Sequence, residues 1–216
     1  MNYFKSLWNE NQQLVLLMAT AAVLLLSVLL YAVGIVFISK LVVIFIAGIA
    51  AVSLLLWEIQ IKTKLLITVI VIVCGFIFEV IGVHSGILFG SISFSSIFGY
   101  KLLGVPFTIG LVWLIVTLSA WNITSFGKIS KIYKFLLAGG LVLMFDLVLE
   151  QFATQFNLWT WKSSSATYLN YISWFLIAEL IFYLYYRLDK INKPSLYIGG
   201  ILPLTALYFW LMLMVR

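Results

Sequence analysis

Long apolar runs, interrupted by short groups of polar and charged residues, dominate the hydrophobic pattern of the chain. Residues 11–39 contain no charged side chain, and neither do residues 102–127. Such runs exceed the ~20 residues that an α-helix needs to cross the hydrocarbon core of a bilayer. A membrane β-barrel would instead show short segments of alternating hydrophobicity. The pattern therefore predicts an all-α, polytopic integral membrane protein.

The polar interruptions divide residues 1–216 into one transmembrane domain of about seven helices. The predicted spans are Leu14–Val36, Leu41–Trp57, Leu65–Gly82, Gly104–Trp121, Ile132–Leu149, Tyr168–Tyr186 and Leu196–Val215. Two longer stretches between them, Val83–Leu103 and Gln151–Thr167, are rich in Gly, Ser, Thr and aromatic residues. Because such segments at a membrane surface often cover a cavity, we expect them to cap the bundle on its outer side.

Three glycines in the first of these stretches recur every four residues: Gly82, Gly86 and Gly90. This spacing predicts a stripe for close helix packing, provided that the helix continues through it. The alternative is a backbone that bends at glycine near a ligand.

The composition agrees with this fold class. The chain is 64% hydrophobic and 9% charged, whereas soluble proteins are near half apolar and a quarter charged. With one histidine and one cysteine, no metal site built from these residue types is expected. The basic residues form no aromatic-interleaved patch, so no nucleic-acid partner is expected.

Lysine and arginine are distributed unevenly between the two predicted sides. Nine lie on the side of the N-terminus: Lys5, Lys62, Lys64, Lys128, Lys131, Lys134, Arg187, Lys190 and Lys193. Four lie on the other side: Lys40, Lys101, Lys162 and Arg216. Because cytoplasmic loops carry the excess of these residues, the N-terminus is predicted to be cytoplasmic and the C-terminus to lie outside.

Four of the seven acidic residues fall within the predicted spans or at their outer ends: Glu79, Asp146, Glu150 and Glu179. An ionised carboxylate at membrane depth costs at least ~2.5–3.5 kcal/mol, so each needs a partner, a wet cavity or a proton. At a rise of ~1.5 Å per residue, Glu79 and Asp146 lie at equal heights, about 21 Å from the inner boundary. Glu150 shares a helix face with Asp146.

These acids have no lysine or arginine at their depth, so we expect protonated carboxyls that can act as proton donors. The alternative is that each acid makes a structural hydrogen bond across a helix interface. We favour this alternative for Glu179, which is predicted to lie deeper, about 12 Å from the inner side.

Aromatic residues are dense in the same outer region, where Asn170 also lies. They include Trp113, Trp159, Trp161, Tyr171 and Trp174. An interfacial aromatic belt would explain some of them. Ring faces can also line a groove for a flat conjugated chain and stabilise a cation.

Three stretches of the sequence carry a family resemblance. They are Glu79–Gly86, leading into Phe89-Gly90, Leu103–Pro106 and Trp113; Asp146–Glu150; and Trp159–Trp161 with Asn170-Tyr171 and Trp174. At these residues the chain resembles the integral-membrane carotenoid biosynthesis proteins of bacteria and haloarchaea, of the carotenoid 1,2-hydratase and bisanhydrobacterioruberin hydratase type. The resemblance implies a multi-pass enzyme of a prokaryotic cytoplasmic membrane.

The activity that the resemblance implies is addition of water to the terminal trisubstituted double bond of an acyclic carotenoid, which gives a tertiary alcohol. Protonation of an alkene requires an acid and aromatic faces but no cofactor. The candidate catalytic residues are Glu79, Asp146, Glu150 and His84, with no metal. The candidate substrate-binding residues are Trp113, Trp159, Trp161, Asn170, Tyr171 and Trp174. Expected partners are the lipid bilayer, the carotenoid and other enzymes of its pathway.

Two other functions fit the same residues. A lycopene-type carotenoid cyclase would protonate the same polyene end, but an internal double bond would capture the cation. A transporter or pigment-binding subunit could use unpaired acids as a proton pathway. Against a transporter, the sequence shows no inverted repeat.

The orientation can be tested by fusing a topology reporter to Arg216. With seven spans and a cytoplasmic N-terminus, the fusion is expected to report an external C-terminus. A cytoplasmic signal would contradict the seven-span topology, and a fusion to the N-terminus provides the matched control.

Overall fold

The structure, a computed structural model, describes residues 10–34, 48, 62–163, 165–188 and 194–215. Within these residues, six helices are long and apolar enough to cross a membrane. They are α1 (Glu10–Ala32), α2 (Lys62–Ser85), α3 (Thr108–Ser125), α4 (Lys131–Gln155), α5 (Tyr168–Leu188) and α6 (Leu196–Met214). They coincide with six of the seven predicted spans and are compatible with a multi-pass membrane protein. Apart from residue 48, the remaining predicted span, Leu41–Trp57, lies outside the described residues.

Among the described residues, four short strands accompany the helices of this all-α fold. They are β1 (Ile92–Phe94), β2 (Lys101–Leu102), β3 (Val105–Pro106) and β4 (Trp159–Trp161). Strand β1 pairs with β4 in antiparallel fashion, and β2 pairs with β3. The first pair joins the two stretches that lie between α2 and α3 and between α4 and α5. We call the end of the bundle that carries these strands the cap end.

The β2–β3 hairpin changes the predicted start of one span. That span was predicted from Gly104, but α3 begins at Thr108. Leu103 and Gly104 both have positive φ, at 54° and 80°. Two such residues form the tight turn that joins hairpin strands, so the chain reverses here before it can enter a helix.

The prediction of a glycine packing stripe was wrong. Helix α2 ends at Ser85, and Gly86 and Gly90 follow it with φ of +66° and +96°. Glycine adopts these values without the strain that a side chain would impose. The chain therefore folds back, and the ring of Phe89 packs against the α-carbon of Gly82. The alternative is confirmed as far as the bend at glycine, and a ligand beside it stays a prediction.

Polar contacts fix the relative directions of the helices. The side-chain oxygen of Gln13 accepts the backbone N–H of Leu196 at 2.8 Å, so α1 and α6 begin together. Asn122, near the end of α3, accepts the backbone N–H of Ser195 at 2.8 Å. At the other end of α1, Tyr31 packs edge-on against Phe156, just beyond α4, with the ring centroids 5.5 Å apart. Helices α1, α4 and α6 thus point towards the cap end.

Helix α2 also points towards the cap end, because Leu88 and Phe89 accept hydrogen bonds there from Ser173 and Thr167. Ala32 and Lys62 therefore lie at opposite ends of the bundle. The outward surface is apolar, as lipid contact requires. Val15, Met144 and Leu176, for example, are each at least 60% exposed.

Close packing of α2 on α3 depends on Gly110. A β-carbon there would lie 2.5 Å from the carbonyl oxygen of Ile72. Since backbone cannot yield as a side chain can, Gly110→Ala is expected to destabilise the protein by about 1–3 kcal/mol. The midpoint of thermal unfolding in detergent measures this.

The matched control is Gly140→Ala in α4, where a β-carbon would meet nothing within 4 Å. This exchange should be neutral or stabilising, because alanine favours helix. Equal midpoints for the two variants would contradict the tight α2–α3 contact.

Candidate acid site

Three acidic side chains meet inside the cap end of the bundle. Glu79 comes from α2, and Asp146 and Glu150 come from successive turns of α4. They are 4%, 0% and 6% exposed. They lie close enough to one another that ionising one would disfavour ionising its neighbours. We call these three residues the acid cluster.

Glu79 is held by an indole from α3. The N–H of Trp113 donates to Glu79 Oε1 at 3.0 Å. Trp113 reaches α2 because Gly75 leaves room: a β-carbon at Gly75 would lie 2.7 Å from Cβ of Trp113. The Trp113 ring also stacks on Trp174 of α5, with centroids 4.2 Å apart and planes inclined by 20°. Two aromatic ring systems thus lie side by side next to this carboxyl.

Glu150 is held by two indoles from strand β4. Successive side chains of a strand point to opposite faces, so Trp159 and Trp161 point inwards while Thr160 points outwards. Both indole N–H groups donate to Glu150 Oε2, at 3.1 and 2.8 Å. Strand β1 keeps β4 in place through the pairs Ile92–Trp161 and Phe94–Trp159.

Asp146 is held by Asn170 of α5. The amide nitrogen of Asn170 donates to Asp146 Oδ2 at 2.8 Å and lies 3.4 Å from Glu150 Oε1. The second oxygen, Asp146 Oδ1, is buried. Within the acid cluster, this is the buried oxygen that has no hydrogen-bond partner among the described residues.

No cation compensates these acids in the described part of the chain. The three carboxyls are buried, and the polar groups around them are the other carboxyls and neutral N–H donors. Lys101 donates to the carbonyl of Phe94 instead, and the side chain of Lys162 is exposed. Among the described residues, no group of three or more His, Cys, Asp and Glu side chains is arranged to hold a metal ion.

The structure thus brings together most of the candidate site residues. Beside the acid cluster lie Trp113, Trp159, Trp161, Asn170 and Trp174. Tyr171 is half-buried and lies near Asp146 and Glu150.

His84 does not join them. It is exposed at the end of α2, where its Nδ1 lies 3.0 Å from the carbonyl oxygen of Val80. Glu179 lies against Gly139 of α4, and its Oε1 is buried without a partner among the described residues.

Sequence reasoning missed two residues that build the site. Gly75 admits Trp113. Thr167 donates to the carbonyl oxygen of Phe89 at 3.1 Å. The spacing of Gly75 and Glu79, one helical turn apart, is a signal that could have suggested a notch below the acid. Nothing in the sequence indicates the contact of Thr167.

The family model described as carotenoid biosynthesis protein matches residues 38–216. The chain belongs to the carotenoid biosynthesis protein family. This confirms the family that the sequence motifs suggested, and the matched range contains the whole acid cluster with its N–H donors. Comparisons with curated proteins and with solved structures found no match.

The hydrogen bonds to Glu150 can be tested by a double-mutant cycle. Trp161→Phe removes one buried N–H donor and is expected to destabilise the protein by about 1–3 kcal/mol. In a Glu150→Met background, the same exchange should cost at least ~1 kcal/mol less, because no carboxyl then lacks its donor. Unfolding midpoints in detergent measure both.

The control is Trp210→Phe in α6, a tryptophan that is 48% exposed. It should give the same small effect in both backgrounds. An unchanged cost of Trp161→Phe in the two backgrounds would contradict the Trp161–Glu150 contact.

Proposed function

We propose that the protein is a carotenoid hydratase. It would add water across the terminal trisubstituted C=C bond of an acyclic carotenoid end, giving a tertiary alcohol. Membership of the carotenoid biosynthesis family supports the substrate class. The observation on which the proposed chemistry rests is Asp146 Oδ1, a buried carboxyl oxygen without a hydrogen-bond partner among the described residues. Such a carboxyl suits a neutral, apolar substrate.

The first step is transfer of a proton from Asp146 to carbon. The proton adds to the CH carbon of the double bond, and the positive charge develops on the carbon that bears two methyl groups. An ionised carboxylate would be costly at this depth without a cation, whereas a neutral carboxylic acid is a proton donor. Asp146 is fully buried, and its Oδ1 has no partner among the described residues, so we assign the reactive proton to this oxygen.

The developing cation is stabilised by its surroundings. Indole ring faces attract a nearby cation by ~0.5–2 kcal/mol each, and Trp113 and Trp174 lie next to Glu79. The Asp146 carboxylate that remains after proton transfer adds a negative charge in a site of low dielectric. The tertiary cation is therefore formed between aromatic rings and carboxyl groups.

Water completes the reaction at the tertiary carbon. Its oxygen forms the new C–O bond, and one of its protons must leave. Glu79 orients this water and relays the proton to the Asp146 carboxylate, taking it on one oxygen as it gives up its own from the other. The sum is one alkene and one water consumed and one alcohol formed, with no oxidation or reduction.

The proposal predicts that both acids are needed for product formation. In a host that makes an acyclic carotenoid, the wild-type protein should yield a pigment heavier by one water molecule. Asp146→Asn and Glu79→Gln should each lower its rate of formation by about 10²–10⁴-fold, because a general acid or base is lost. Liquid chromatography with mass spectrometry of extracted pigments measures this.

The matched control is Glu10→Gln, which alters an exposed acid at the start of α1. It should leave the product unchanged. Full activity of both site variants would contradict the acid mechanism. A product of unchanged mass with a new ring would instead indicate a cyclase, and an unchanged pigment would indicate a transporter or binding subunit.

A further inference from the structure

Asn170 bridges two carboxyl groups with a single nitrogen. Its Nδ2 donates to Asp146 Oδ2 at 2.8 Å and faces Glu150 Oε1 at 3.4 Å. The side chain is 2% exposed. An amide NH₂ carries two hydrogens and accepts no hydrogen bond, so both of its contacts here are donations.

The amide donor restricts where a proton can lie on Asp146. A neutral carboxylic acid has one O–H, and its other oxygen is only an acceptor. Oδ2 already accepts a hydrogen bond from Asn170, and a carbonyl oxygen accepts it better than a hydroxyl oxygen does, so an O–H on Oδ2 would weaken this bond. The acidic hydrogen is therefore left on Oδ1, the oxygen without a partner.

The orientation of the Asn170 amide is itself fixed from the other side. Three N–H groups, from Trp159, Trp161 and Asn170, donate to Glu150, which are the surroundings of a carboxylate, so a reversed amide would set its carbonyl oxygen against Oε1. Glu150 is held by the N–H groups of Trp159 and Trp161, which can only donate. Because β4 is paired with β1, the cap end keeps Glu150, and through it Asn170, in this arrangement.

We propose that Asn170 is a positioning residue that keeps the reactive proton of Asp146 on Oδ1, and that Glu150 keeps Asn170 in place. This inference rests on the proposed function, in which Asp146 protonates the substrate. It gives Glu150 a different task from proton donation. Asn170 acts through Asp146 and does not touch the reacting carbon.

The decisive measurement is the infrared carbonyl stretch of the Asp146 carboxylic acid. This band is identified by its absence in Asp146→Asn and by its shift in ²H₂O. In Asn170→Leu it should move to higher wavenumber, because the Oδ2 carbonyl loses its hydrogen bond. In Asn170→Gln, which keeps an amide donor, it should remain closer to the wild-type position.

The rate of product formation should fall from wild type to Asn170→Gln to Asn170→Leu, while both variants still bind the pigment. Asn170→Leu should lower the rate of hydrated product about 100-fold, the cost of a misplaced catalytic group. Asn170→Gln should restore part of this loss. Asn11→Leu, which changes an exposed asparagine of α1, is the matched control and should alter neither band nor rate.

The outcomes separate this inference from the proposed function. If Asp146→Asn keeps full hydratase activity, the proposed function is wrong. If Asp146→Asn is inactive but Asn170→Leu keeps both the wild-type band and the wild-type rate, only the positioning role is wrong. Should Asn170→Leu fail to fold, Asn170→Ser also removes the amide donor, and the same band shift is expected of it.

Discussion

Three carboxyl groups are buried at the cap end, and in the described part of the chain no lysine or arginine acts on them. A buried polar atom that lacks a hydrogen-bond partner costs about 1–3 kcal/mol, and more when it is charged. The fold meets this constraint with neutral donors, which are three indoles and one amide. These donors lie on α3, β4 and α5, so the acids of α2 and α4 determine how the remaining elements converge.

The stability of the β1–β4 pair depends on the acid cluster and the core around it. Two strands of three residues bury too little surface to be stable alone in water. Here Trp159 and Trp161 are 3% and 8% exposed, and Phe94 packs edge-on against Trp159. The strands therefore persist because their inward side chains belong to the core. Their pairing in turn supplies two N–H donors at one carboxyl oxygen.

Much of the fold could be predicted because membrane helices leave a strong signal. Charge-free runs mark the helices, and the rise per residue places Glu79 and Asp146 at one height. The rest depends on contacts between distant segments. Three-residue strands carry no periodicity that could separate Trp159–Trp161 from an interfacial belt. The spacing of Gly82, Gly86 and Gly90 fits a helix equally well, and only the positive φ at the last two shows the turn.

In the candidate site too, some features could be predicted from the sequence and others depend on contacts between distant segments. The acids were predicted from the cost of burying charge, which is a property of the residue type and its depth. The roles of their oxygens were not predicted, because they depend on which hydrogen-bond donors come within reach. Asn170 illustrates this, because the sequence identified it only as a candidate substrate-binding residue. The structure gives it two carboxyls.

The donor set has a consequence for proton movement. Indole and amide N–H groups do not titrate in the range where proteins fold, so they neither take up nor release protons. Any net gain or loss of protons by these residues must therefore take place at the three carboxyls. Hydration of an alkene removes one proton from the acid and returns one from water, leaving the number unchanged. In the proposed hydration, the acid cluster would therefore end each cycle with the same number of protons as at the start. The reaction would need no net transfer of protons from either side of the membrane.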